Sequence, residues 1–105
     1  MRINIVLQYK SKFLDNEDVI ERITQDNNAS YLAKGIDNPE FPYLSEVECD
    51  DYSDFGPKDM DALIKELLRV RREEADPSHQ AHIDDIIRLA NKCKKIPETI
   101  LMFAG

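Results

Sequence analysis

The sequence predicts an α+β domain, with helices packed on a sheet of about four strands. Three observations carry this expectation. Two segments in the C-terminal half, Pro57–Glu73 and Asp76 to about Lys95, repeat apolar residues at the helical period. The first residues, Arg2–Tyr9, alternate apolar and polar. The chain closes on TILMFA, Thr99–Ala104, an apolar run too short for a helix. At 105 residues the chain has the length of one domain, 1–105, with enough surface to bury a single core. A single-domain, two-layer sandwich follows, with two long antiparallel helices and one shorter helix in the order β-α-β-β-α-α-β.

Each element has its own signal. In Arg2–Tyr9, Ile3, Ile5, Leu7 and Tyr9 point one way, and Val6 interrupts the polar face opposite, so that face is expected to be partly covered. Leu14–Asn28 reads as a surface helix with a thin stripe of Val19, Ile20 and Ile23, capped by Asp15 or Asn16. Ala29–Lys34 reads as a short strand, and Gly35–Pro42 as a loop rich in turn residues. Tyr43–Cys49 alternates and reads as a strand, with Glu46 and Glu48 on its solvated face. Asp50–Gly56 reads as a second loop. Pro57 suits the first helical position, and Met60, Leu63, Ile64, Leu67 and Leu68 form the buried stripe that follows. Asp76 and Pro77 repeat the start signal, and about three residues join the helices, which makes them antiparallel neighbours. Thr99–Ala104 reads as a central strand buried on both faces.

Charge is the strongest functional signal. The net charge is −7, and it is concentrated between Gly35 and Asp61. That stretch holds nine carboxylates against one base, Lys58, while the segments before and after it are close to neutral. It also carries Phe41, Tyr43, Tyr52 and Phe55. Phosphates would be repelled, so direct binding of nucleic acid or an anionic membrane is not expected. A basic protein is the favoured partner. Acids speed its approach, and aromatic side chains supply the apolar anchors that acids cannot. The candidate contacts are Asp50, Asp51, Tyr52 and Asp54, with Glu46 and Glu48 beside them.

Other chemistries find little support. There is no nucleophile elbow and no glycine-rich phosphate loop, so a binding role is expected rather than an enzyme. His79 and His82 share a helical face but lack a third ligand at a zinc-like spacing; they read as surface histidines, and no cofactor or metal is expected. The two-helix unit could be taken for a DNA-reading motif, but its bases sit at helix ends, where the helix dipole accounts for them. Cys49 and Cys93 are far apart and read as buried thiols. The N-terminus lacks the apolar core of a secretory signal, and no apolar run approaches a membrane span, so a cytoplasmic protein is expected.

The run from Phe41 to Val70 resembles the middle of a family of small bacterial proteins. In these an acidic, aromatic loop leads into a helix of pattern DM-x-x-LI-x-EL, here Asp59, Met60, Leu63, Ile64, Glu66 and Leu67. A helix carrying His82, Ile83, Leu89, Ala90 and Cys93 follows, and a strand with Leu101, Phe103 and Gly105 closes the chain. These are companions of polymorphic toxins, including contact-dependent growth inhibition systems. The resemblance implies an immunity protein that binds and neutralises a cognate toxin domain. Many such toxins are nucleases with a basic cleft, which an acidic surface can fill. An alternative is an acidic regulatory module, or an assembly subunit, for another basic cellular protein.

Overall fold

The computed structural model describes residues 2–10, 19–35, 37–48 and 51–105. Strands β1 (Asn4–Tyr9), β2 (Val19–Thr24), β3 (Tyr52–Phe55) and β4 (Thr99–Ala104) form one antiparallel sheet in the order β2-β1-β4-β3. The short helix α1 (Ala29–Leu32) follows β2, and a 3₁₀ turn spans Leu44–Glu46. Helix α2 (Met60–Glu73) is entered through a 3₁₀ turn over Pro57–Asp59, and α3 (Pro77–Lys95) precedes β4. Helix α3 lies against β1, β2 and β4, and α2 packs along α3.

The layers follow from side-chain alternation. Ile5 pairs with Phe103, and Leu7 and Phe55 both pair with Leu101, so the inward faces of β1, β4 and β3 make one apolar surface. The rings of Phe55 and Phe103 meet edge to face at 5.8 Å. Leu63, Leu67 and Val70 of α2 and Ile83, Ile86, Leu89 and Ala90 of α3 close the core. Asp76 caps α3 as expected, accepting the Ser78 backbone N–H at 2.8 Å, with Pro77 in the first turn. Ion pairs bridge the antiparallel helices at both ends. Arg71, near the end of α2, meets Asp84 at 2.6 Å, and Lys94, at the end of α3, meets Asp61 at 2.7 Å. The bases at these helix ends therefore do more than answer the dipole.

Four local expectations are corrected. Val19–Thr24 is a strand, not part of a helix; the proposed start of that helix, with its caps, lies outside the described residues. VIERIT is rich in β-branched residues, and the pairing with β1 steps from Leu7↔Glu21 to Gln8↔Val19, so Ile20 is the extra residue of a bulge. The bulge lets Val19, Ile20 and Ile23 mimic a thin helical stripe. Glu21 then reaches α3, where it pairs with Arg88 and, at 3.0 Å, with Lys92; these two cations hold its carboxyl down to about 2. Second, Ala29–Leu32 is a helical turn rather than a strand. Third, Leu44–Glu46 is a 3₁₀ turn where alternation predicted a strand. Fourth, Tyr52–Phe55 is a strand where a loop was expected.

Strand β4 is central, as its apolar run indicated, but its two faces differ. Thr99, Leu101 and Phe103 are buried, while Ile100, Met102 and Ala104 are only partly so. The partial cover expected opposite the inward face of β1 appears at Val6, which is buried.

Candidate protein-docking site

The acidic loop is held from outside itself. Phe41, Leu44 and Val47 are all buried, spaced by three as a 3₁₀ turn requires. Lys34 and Arg69 lie over the Phe41 ring, at 4.9 and 5.2 Å from its centroid. From α2, the buried carboxylate of Glu66 accepts the backbone N–H of Leu44 at 2.9 Å and that of Tyr43 at 3.1 and 3.2 Å. It occupies the N-terminal end of the 3₁₀ turn, where N–H groups would otherwise be orphaned. The Ser53 hydroxyl donates to the Glu46 carbonyl at 2.7 Å, tying the turn to β3. The Gly105 N–H donates to the Asp51 carbonyl at 2.9 Å, tying the loop's end to the end of β4.

These ties bring Asp37, Glu46, Glu48 and Asp51 around one concave surface of about 620 Å³, with Asn38, Pro39, Pro42 and Ser45 between them. Asp37 sits at a left-handed turn, φ 58°, which its short polar side chain tolerates. Among the described residues no base lines the concavity, and none of the four carboxylates forms an ion pair. The helical side is different. There Glu21, Asp61, Glu73, Asp84 and Asp85 all pair with Arg or Lys. Within the acidic stretch Glu40 also pairs, with Arg69 at 3.3 Å, whereas among the described residues the four carboxylates at the concavity stay uncompensated.

The expected contact residues divide between two surfaces. Glu46, Glu48 and Asp51 line the concavity, all exposed, although the first two stand on a 3₁₀ turn and its exit and not on a strand. Tyr52 and Asp54 stand exposed on β3. Asp50 and Cys49 lie outside the described residues. Of the four aromatic anchors, Phe41 and Phe55 are in the core and Tyr43 is half-buried against Phe55, while Tyr52 is 67% exposed. Two contributions escaped the sequence reading. Asp37 joins the concavity from a distant turn, and Ile100, Met102 and Ala104 line a groove beside Tyr52. The alternation within β4 carried no signal for the second, because every residue of that strand except Thr99 is apolar.

The histidines form a separate structural cluster. His79 is half-buried, stacked on Tyr31 at 4.5 Å and bonded to Glu74 at 3.1 Å. His82 is 6% exposed, which corrects its reading as a surface residue. Its Nε2 lies 3.2 Å from the Asn28 amide nitrogen. Asn28 in turn accepts the Ile3 N–H at 2.6 Å and donates to the Ile3 carbonyl at 2.8 Å, completing the backbone bonds ahead of β1. Among the described residues, no group of three or more His, Cys, Asp or Glu side chains is placed to hold a metal ion. Cys93 is buried, and burial pushes its thiol pKa up, as suits an inert core thiol.

Burial pushes the His82 pKa below its ordinary value of 6.5, with Asp85 opposing the shift and His79 adding to it. The unfolded chain therefore binds a proton that the folded chain resists. Stability is complete above 6.5 and is lost as pH falls towards the folded pKa. Protonation also removes the acceptor for Asn28. The melting temperature is expected to fall between about pH 7.5 and about pH 5.5. His82→Gln should flatten that slope, and an unchanged slope would show that His82 is not its source.

No helix among the described residues is long and apolar enough to cross a membrane. Comparison with family models, with curated proteins and with solved structures found no match.

Proposed function

We propose that this chain is a protein-binding inhibitor of the immunity type, which neutralises a cognate toxin domain by filling a basic cleft with its acidic surface. One observation carries the reading. Asp37, Glu46, Glu48 and Asp51 converge on one concavity without a compensating base among the described residues, while Glu21, Asp61 and Asp84 over the helices are paired with Arg or Lys. Such a surface attracts a basic partner from a distance and rejects acidic ones. The pattern of Phe41–Val70, which resembles immunity companions of bacterial toxins, points the same way. The mechanism needs no chemistry from this chain. A phosphate-binding cleft must be basic, and a folded acidic loop competes with the nucleic acid for it.

Affinity capture from lysate of the source organism, at low and then moderate salt, tests the proposal. Wild type is expected to retain one basic protein, and Glu48→Lys with Asp51→Lys to release it. With that protein purified, the double reversal should slow association about 10- to 100-fold at low salt, with a smaller effect at high salt. Co-expression should then protect cells from the retained protein. Retention without protection would favour a regulatory module. Unchanged binding after charge reversal would remove the acidic loop from the interface.

A further inference from the structure

Asp51 of the acidic concavity is followed in the chain by Tyr52, which lines a groove of different chemistry. In the β3–β4 ladder Tyr52 stands opposite Ala104, and Asp54 opposite Met102. Alternation puts Tyr52, Asp54, Ile100, Met102 and Ala104 on one face, turned away from the core. With Gln8 and Lys10 these residues line a groove of about 520 Å³. The methyl group of Ala104 leaves the neighbouring Tyr52 ring open, and that ring is the most exposed large apolar side chain among the described residues.

We propose that this groove is the anchoring half of the docking site, and that it takes a segment of the partner protein in which an arginine neighbours an apolar side chain. The inference rests on the acidic-docking reading above and specifies the chemistry of the partner. Charge sets the direction. Asp54 lines the β3 side of the groove, with Asp51 of the concavity next to Tyr52 in the chain, and Lys10 lines the β1 side, so a cation is drawn to the β3 side. A guanidinium can stack flat on a tyrosine ring while its N–H groups reach a carboxylate. Tyr52 and Asp54 are two residues apart, about 7 Å along the strand, which one arginine spans. The adjoining apolar side chain then covers Ala104, Met102 and Ile100. Acids alone speed encounter, whereas desolvated apolar contact slows release.

The segment lies on the face of the sheet and not along its edge. The bond from Gly105 to the Asp51 carbonyl makes Asp51, Ser53 and Phe55 the residues whose backbones turn toward β4. Tyr52 and Asp54 turn theirs outward, but the Tyr52 N–H is already taken by the Asp51 carboxylate at 2.8 Å. An added strand would find its first donor occupied.

Two synthetic peptides of equal charge test this in an NMR titration of the ¹⁵N-labelled protein, one alternating Arg and Val, the other Arg and Ser. The Arg-Val peptide is expected to bind about tenfold tighter or more, shifting the amides of Tyr52, Asp54, Met102 and Ala104. Met102→Ser should abolish most of that advantage, and Tyr52→Ala, at an exposed site that the fold does not need, should weaken both peptides. Equal binding of both peptides, lost on Glu48→Lys with Asp51→Lys but indifferent to Tyr52→Ala and Met102→Ser, overturns the groove and leaves the acidic reading standing. Binding that ignores the charge reversal, or no binding of either peptide, defeats the acidic reading itself. A Glu-Val peptide that binds as well as Arg-Val overturns the cationic occupant.

Discussion

A chain ending at Glu98 is expected not to fold. It lacks β4, the strand that pairs with β1 on one side and β3 on the other. Without it the sheet splits into a β1–β2 hairpin and a lone β3, and two-stranded pieces are marginal in water. Leu101 and Phe103 leave the core at the same time. A single substitution tests the same point in the full chain. The Phe103 side chain is almost fully buried against Phe55, so Phe103→Ala should cost about 3–5 kcal/mol. Against the roughly 5–15 kcal/mol typical of a domain, that is a large fraction. Urea unfolding measures it. A loss below about 1 kcal/mol would mean that the strand's inward face is not part of the core.

Glu66→Ala is expected to damage stability and partner binding together. The carboxylate is 7% exposed and satisfies the N–H groups of Tyr43 and Leu44. Its removal leaves two loop donors without their acceptor, at a cost of about 3 kcal/mol. Glu66→Gln keeps one carbonyl acceptor and should lose about half as much. The larger consequence is local. Without the tether, the 3₁₀ turn that places Glu46 and Glu48 opposite Asp37 loses its N-terminal anchor. Hydrogen exchange should speed up at Tyr43, Leu44 and Val47 well before it does in α3. Capture of the proposed basic partner should weaken although no exposed charge has been removed. If the protein loses stability uniformly and keeps full partner affinity, Glu66 is a core residue with no part in shaping the site.

The helices were legible because their signals are local. Pro57, the Asp76–Pro77 start and the 3.6-residue stripe through Met60, Leu63 and Leu67 need only nearby residues to act, although Leu68, expected in that stripe, is exposed and Val70 is buried in its stead. Strand β1 and the central position of β4 were legible for a similar reason, since burial dictates their apolar pattern. The acidic region was less so. Val47 fits both a period of two with Tyr43 and Ser45 and a period of three with Phe41 and Leu44. Only the Glu66 bonds from α2, more than twenty residues away, select the second. The histidine pair was misjudged in the same way. His79 and His82 look alike in sequence, but Asn28, 54 residues from His82, meets only His82.

The sequence by itself determined the α+β class, the paired helices, the closing central strand and the concentration of negative charge between Gly35 and Asp61. Tertiary structure alone decided which acids share a surface, which aromatic side chain stays exposed, and that the outer face of β4 opens a groove beside it. The physical reason is the range of the interactions. Helix caps and periodicity act over a few residues. The direction of a side chain in a short turn or on a two-sided strand depends on what a distant element places against it, here Glu66 from α2 and β3 along β4.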